Sequence, residues 1–494
     1  MTDGSDLLES GILLPGSAAA DAFETWRTTA PAVRARLLRA IAEALEADRA
    51  AIVATADGET SLGRPRLEGE LDRTAGQLRM FADIAEEGSF VEAILSTPDP
   101  QAKPIPRPDV RRMLVPLGPV AVFTPSNFPL AFGVAGGDSA SALAAGCSIV
   151  VKGHPSHPAT SDACARAITS AIGTTGAPPV FALVQSAEPA VSRALVRDSH
   201  IQAVAFTGSL AAGRALHDVA AARPDPIPMY AEMGSVNPVF VSPAALDARA
   251  DAIADGLAAS ITIGAGQFCT KPGLAFVPDS ESGRRFARAV AERLDKWPAA
   301  SMLNRSLATT LDRDLESIAT LEGIERLTAA GGEAVESRRA ATLVAADEET
   351  WNAARELRTE HFGPFSVIVF CDPERMMRAA RLIPGSLTAT VHAEPSDREW
   401  AARLTDALTT RAGRIVWNGY PTGVAVTWAM HHGGPYPAST SSLHTSVGAT
   451  AIRRFLRPVA WQNTPDALLP EALRDANPLS LQRLVDGEWT RRRL

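Results

Sequence analysis

Two hydrophobic periodicities divide the chain. In the first part, Leu37, Leu38, Ile41 and Leu45 recur at helical spacing, and Leu71, Leu78 and Phe81 continue the pattern. Both stretches are predicted as amphipathic helices. A proline-rich stretch from Pro98 to Pro108 then reads as an extended arm or connection, not as packed core. From Val115 the texture changes. Short β-branched runs lie at Val120–Phe123, Ile149–Val151, Val180–Val184, Ala203–Phe206 and Val239–Val241. They alternate with Ala-rich helical stretches at Gly137–Ala145, Ser161–Ile172 and Ala187–Val196. That alternation predicts a parallel sheet with helices on both faces. A second α/β region runs from about Leu257 to Val426, with strand-like Phe365–Phe370 and Ile415–Trp417. The Pro- and Leu-rich end from Pro458 is predicted to wrap another surface or subunit. Ligands of parallel sheets sit at the carboxyl ends of the strands, so Thr124–Asn127, Lys152–His157 and Thr207–Ser209 are expected to converge.

Composition narrows the function classes. The 494 residues suggest two to four domains, and 46 % hydrophobic content suits a large buried core. The net charge of −8 comes without a basic block, which excludes a nucleic-acid partner and favours small molecules. No apolar run approaches the roughly 20 residues of a membrane span, and the acidic start Met1–Asp6 lacks the basic region of a leader. Cys147, Cys164, Cys269 and Cys371 show no C-x-x-C spacing, which points to a reducing compartment. The expectation is a soluble cytoplasmic protein.

The chemistry centres on Cys269. Gly264 and Gly266 precede it, and Thr270, Lys271 and Gly273 follow, which predicts a turn displaying the thiol. A thiolate there is a strong nucleophile, and the turn can aim a backbone N–H at an oxyanion. The other three cysteines read as buried structural thiols. Glu232 follows an apolar, proline-rich run and precedes Gly234. Partial desolvation would raise its pKa toward a general base's range, and a solvated loop carboxylate is the alternative. Asn127 can donate its amide to an oxyanion, or serve ordinary turn chemistry in Ser126-Asn127-Phe128-Pro129. Gly208 and Ser209 open a helix after a strand, suited to a phosphate or to a simple helix cap. Lys152 ends a strand and can bind ribose hydroxyls or a phosphate. His154, His157 and the pair His431-His432 lack a third ligand pattern, so no metal is expected, and His431-His432 reads as a loop.

Taken together, these motifs resemble the aldehyde dehydrogenase superfamily, in the family's order: Phe123–Pro129, Val151–Pro158, Phe206–Ser209, Glu232–Gly234, Gly266–Lys271 and Glu360–Pro364. The resemblance implies an α/β fold: a Rossmann-like dinucleotide-binding domain (1–94 and 116–236), a catalytic α/β domain (237–430), and an oligomerisation arm with a C-terminal segment (95–115 and 431–494). It implies Cys269 as nucleophile, Glu232 as base, and Asn127 with the Cys269 amide as oxyanion hole. Cofactor contacts would come from Thr124, Pro125, Ser126, Lys152, Pro155, Gly208, Ser209, Glu360 and Phe362. The implied chemistry is thiohemiacetal formation, hydride transfer to a nicotinamide and thioester hydrolysis, in a homodimer or homotetramer.

Two positions depart from the family's pattern. Ser126 replaces the common aromatic before the oxyanion Asn. Pro155 stands where NAD-preferring members carry Glu, which favours NADP while leaving NAD possible. Within the superfamily, Ser126–Phe132, Ala135–Asp138, Lys152–Pro155, His432–Ala438 and Thr445–Gly448 look like the branch that oxidises 2-oxoglutarate semialdehyde (2,5-dioxovalerate). Arg73 and Gln77, one helical turn apart, are expected to hold the substrate's distal carboxylate, with Phe128 and Arg454 as further substrate residues. Oxidation of succinate semialdehyde or another aldehyde is the alternative activity. A cofactor-free cysteine hydrolase is the rival class, opposed by the nucleotide-type residues Lys152, Ser209 and Glu360.

Overall fold

The computed structural model describes residues 15–329 and 336–494. Met1–Asp6, from which the absence of a leader was read, lies outside the described residues. The described residues build a five-stranded parallel sheet, a seven-stranded sheet parallel but for one edge, a five-stranded, mostly antiparallel sheet and a two-stranded ribbon, which bears out the α/β reading. The helical period at Leu37–Leu45 falls in helix Pro31–Ala47, and Leu71–Phe81 falls in helix Arg64–Glu87. The apolar stripes of these two helices pack on each other, both also meeting helix Gly137–Ala145 and the first also meeting helix Pro158–Thr175, which leaves Leu37, Leu38, Ile41 and Leu78 buried.

The first sheet has five parallel strands in the order Phe181–Gln185, Ile149–Gly153, Val120–Phe123, Ala203–Thr207 and Met229–Glu232. Val120–Phe123 is where the strand order reverses, so the crevice beyond its carboxyl end is the expected ligand site. The second sheet runs Glu325–Arg326, Thr342–Asp347, Phe365–Cys371, Leu274–Pro278, Val239–Val241, Ser386–His392 and Ala412–Trp417. Its strands are parallel except at the first edge.

One strand is placed differently from the sequence reading. Val239–Val241 belongs to the second sheet, and the last strand of the first is Met229–Glu232. Pro226 and Pro228 obscured that strand, since proline argues against strand interiors. The chain crosses between sheets at Ser235–Asn237. There Asn237, fully buried in the left-handed region (φ 47°), donates its amide to the carbonyls of Cys269 (2.8 Å) and Lys271 (3.0 Å). Asn tolerates that backbone conformation better than most residues.

The third sheet joins distant segments in the order Leu456–Gln462, Val110–Pro116, Ile94–Ser96, Arg483–Val485 and Glu488–Thr490. Among the described residues, no helix is long and apolar enough to cross a membrane.

Candidate active site

The crevice between the two parallel sheets holds a cavity of about 460 Å³. Thr124, Pro125, Ser126, Asn127, Lys152, Pro155, Gly208, Ser209, Glu232, Cys269, Glu360 and Phe362 all line it. These residues come from six separate stretches of chain, so the convergence is a property of the fold.

Cys269 sits in the predicted turn. Gly264, Ala265 and Gly266 hold φ of 58°, 55° and 68°, and a Cβ on Gly266 would collide with the Gly363 carbonyl. That approach explains glycine at 266. The thiol is half-buried, whereas Cys147, Cys164 and Cys371 are buried, with burial pushing them up to about 11, 12 and 12. Burial and the neighbouring Glu232 charge also push Cys269 well above an ordinary thiol, while the Arg73 charge acts against them.

Glu232 ends its strand, fully buried. Burial pushes its carboxyl up, but His432, Ser446 and Cys269 outweigh that and hold it below the usual range. This corrects the expectation of a raised pKa: donors beside a buried carboxylate can exceed its desolvation. Ser446 Oγ donates to Glu232 Oε2 at 2.5 Å, and His432 Nε2 lies 3.0 Å from Oε1. The segment carrying both residues pairs with the Glu232 strand through Ala231, Met233, Ala438 and Thr440.

His432 is the residue the sequence reading missed. It is buried, and its Nε2 also lies 3.4 Å from Cys269 Sγ. The functional atoms of Glu232, Cys269 and His432 all fall within 4.8 Å of one another. His154 and His157 stack, and His157 Nε2 bonds the Pro125 carbonyl at 2.9 Å, which ties down the loop before Asn127.

Asn127 is buried and donates Nδ2–H to the Gln267 carbonyl at 2.9 Å, beside Cys269 in the chain. An amide has two N–H groups, so one stays available. On the other side, Lys271 Nζ donates to the carbonyls of His361 (3.0 Å) and Phe365 (2.6 Å), tying the loop of Glu360 and Phe362 to the cysteine turn. Burial pushes Glu360 up to about 7 and Lys271 down to about 8, each moderated by the other's charge.

The nucleotide-type residues suit a dinucleotide. A Cβ on Gly208 would come within 2.7 Å of the Phe206 ring, and one on Gly234 within 2.5 Å of the Glu360 carboxylate. Ser209 caps helix Leu210–Ala221 through Ala212 N (3.3 Å), so that helix N-terminus meets the cavity. Lys152 Nζ is buried with one protein acceptor, the Gly153 carbonyl, which leaves donors for sugar hydroxyls. Arg193, unforeseen from sequence, lines the same cavity.

The substrate residues divide. Arg73 lies over the Phe132 ring (5.4 Å), and its buried Nε and Nη2 lack partners. Burial pushes its pKa down, opposed by the charges of Cys269, Glu70 and Glu232. Phe128 stacks edge-on against Phe132 and Phe268, the latter adjacent to Cys269. Arg66 lies over Phe128 and Phe268 and donates to the Asn127 carbonyl. Its place seven residues before Arg73 on one helix was the available signal. Gln77 is buried beside Gly137 and donates one of its two N–H groups to the Ala131 carbonyl (3.2 Å). One expectation needs correction. Arg454 is buried in an ion pair with Asp138 (2.6 Å), so its charge is already compensated.

The aldehyde dehydrogenase family model matches residues 16–458. The alpha-ketoglutaric semialdehyde dehydrogenase 2 of Azospirillum brasilense is 46 % identical over 472 residues, 95 % of this chain and 90 % of that protein. The alpha-ketoglutaric semialdehyde dehydrogenase of Acinetobacter baylyi is 42 % identical over 476 residues, covering 96 % and 90 %. A solved salicylaldehyde dehydrogenase from Pseudomonas putida G7 shares the fold at TM-score 0.77 and 20 % identity, covering 91 % of this chain and 89 % of its own. The chain belongs to the aldehyde dehydrogenase family, oxidoreductases that act on aldehydes with NAD(P).

Proposed function

We propose that the chain oxidises 2-oxoglutarate semialdehyde to 2-oxoglutarate with NADP, through a thiohemiacetal and then a thioester on Cys269. The observation that carries the reading is the single cavity in which Cys269, Glu232 and Asn127 meet Lys152, Ser209 and Glu360. The two relatives above 40 % identity supply the substrate class by their names. In this reading the Cys269 sulfur attacks the aldehyde carbon. The free Asn127 N–H and the Cys269 amide receive the developing oxyanion. Lys152 and Ser209 bind the adenosine ribose and the pyrophosphate, and Glu360 and Phe362 orient the nicotinamide ribose. A bound nicotinamide supplies the hydride acceptor. Glu232 takes the proton of the water that hydrolyses the thioester.

Arg73 reads the distal carboxylate. A buried guanidinium with two unpartnered nitrogens suits bidentate recognition. Arg73→Ala should raise KM for the acidic semialdehyde by about 10–100-fold, the loss of one charge-assisted pair. The KM of a neutral aldehyde of equal length should change little. Equal losses for both substrates would assign Arg73 to the fold.

The preference for NADP rests on Pro155 and Arg193. Both line the cavity with Lys152, and Pro155 places no carboxylate against a 2′-phosphate. Pro155→Glu should weaken NADP about tenfold more than NAD, by like-charge repulsion. Wild-type protein binding NAD far more tightly than NADP in titrations would end this part of the reading.

We propose the domain division 1–94 with 116–236, 237–430, and 95–115 with 431–494; in support, each part holds most of one of the three larger sheets, with Ile94 and Pro116 of the third lying at its edges. The third sheet and its neighbours expose Ile105, Leu468 and Trp489, which supports self-association as a dimer or tetramer.

A further inference from the structure

We infer that Arg66 is a positioning residue of this reaction: its guanidinium fixes the Asn127 loop against the cysteine turn, so that the free Asn127 N–H faces the developing oxyanion. The inference rests on the reading of Asn127 and the Cys269 amide as the oxyanion hole. Arg66 stands in the first turn of helix Arg64–Glu87 and meets both segments that supply those donors. On one side its Nη2 donates to the Asn127 carbonyl at 2.5 Å. On the other, Gly264 of the cysteine turn makes room for it, since a Cβ there would come within 2.7 Å of Arg66 Nη1. The guanidinium carbon lies 4.9 Å from the centre of the Phe128 ring and 4.8 Å from that of Phe268. Phe128 follows Asn127, Phe268 precedes Cys269, and the two rings meet edge-on. One cation therefore holds together the chain neighbours of both oxyanion donors.

The Asn127 loop needs such a brace. Residues 124–136 belong to no helix or strand, so no ladder holds their peptide groups. Side chains bond them instead. His157 Nε2 bonds the Pro125 carbonyl (2.9 Å), and Arg66 the Asn127 carbonyl. Glu70, one helical turn after Arg66, accepts from the N–H groups of Leu130 (2.8 Å) and Ala131 (3.0 Å). The direction of the Asn127 amide follows from this backbone, and a misplacement of about 1 Å at a reacting centre can cost about 10²-fold in rate. The competing assignment is that Arg66 binds the substrate's carboxylate, since its Nε and Nη1 are buried without partners. Its other contacts favour positioning. Nη2 is committed to the loop, two rings cover the guanidinium, and the Glu70 carboxylate lies 4.0 Å away to balance the charge. The charge that reaches Cys269 from this helix is that of Arg73.

The test is a double-mutant cycle on the first-turnover burst, with Arg66→Met, Asn127→Ala and the two combined. Asn127→Ala should slow the burst by about 10²–10³-fold, the share of one oxyanion donor. Arg66→Met keeps the apolar stem and loses the donors and the charge. It should slow the burst by about 10–10²-fold, equally for the acidic semialdehyde and for a neutral aldehyde of the same length. The combined variant should be no more than about twofold slower than Asn127→Ala, because no amide is left to position. Alkylation of Cys269 by iodoacetamide forms no oxyanion, so it should keep the wild-type rate in all three, located by peptide mass spectrometry. Arg66→Gln, which lacks the charge and the reach, carries the same cycle where Arg66→Met does not fold. An unchanged burst in either folded variant overturns the inference, and so do additive losses in the combined variant. A loss confined to KM for the acidic semialdehyde overturns it by making Arg66 a substrate residue. Slowed alkylation in the Arg66 variant overturns it by showing that the cysteine turn itself has shifted. If Asn127→Ala keeps the wild-type burst, the oxyanion reading falls, which separates that failure from a failure of Arg66 alone.

Discussion

Cys269→Ala should abolish aldehyde-dependent reduction of NADP while leaving nucleotide binding intact. The thiol is the one cysteine not fully buried, and it stands in a glycine-shaped turn between Glu232, His432 and Asn127. Alanine removes only Sγ, so the turn, held by Asn237 and Lys271, should persist. No other thiol lines the cavity, and the loss should reach the assay background. Nucleotide binding, read by fluorescence quenching and proposed to rest on Lys152, Ser209 and Glu360, should be retained. Cys147→Ala serves as the contrast. Its Sγ lies 3.5 Å from the Phe455 carbonyl in the first core, so it should lower stability and spare turnover. Retained turnover in Cys269→Ala would remove the nucleophile from the scheme.

Glu232→Gln should separate the two halves of the reaction. The amide keeps the shape of the carboxylate and can still accept from Ser446, but it cannot take a proton from water. Acylation should survive as a first-turnover burst. Steady-state turnover should fall by about 10²–10⁴-fold, the usual share of a general base. An undiminished steady-state rate would exclude Glu232 from deacylation. Because its carboxyl is held below the usual range by neighbouring donors, Glu232 is ionised throughout the neutral region.

Local chemistry explains what could be foreseen. Gly264, Gly266 and Gly273 mark the cysteine turn because backbone shape is written in neighbouring residues. The strands Val120–Phe123, Ile149–Gly153 and Phe365–Cys371 were legible as β-branched runs for the same reason. Long-range pairing left no such trace. His432 meets Cys269 across 163 residues and Glu232 across 200, and its neighbours in the chain read as a glycine-rich loop. Arg454 was misread because its partner, Asp138, lies 316 residues away. The Glu232 environment misled in sign, since its apolar approach suggested desolvation while its donors come from 432 and 446. Strand Met229–Glu232 hid behind two prolines and shifted the apparent end of the first sheet to Val239–Val241.

The most direct test of the central claim uses Glu232→Gln in a single turnover with 2-oxoglutarate semialdehyde and NADP. The account predicts a burst of NADPH stoichiometric with active sites. Mass spectrometry should then find the Cys269 peptide carrying the acyl group, formed as the aldehyde hydrogen leaves as hydride and the thiol proton is lost. A neutral aldehyde of the same length should acylate far more slowly. A burst without an adduct on Cys269, or equal acylation by the neutral aldehyde, would contradict the account.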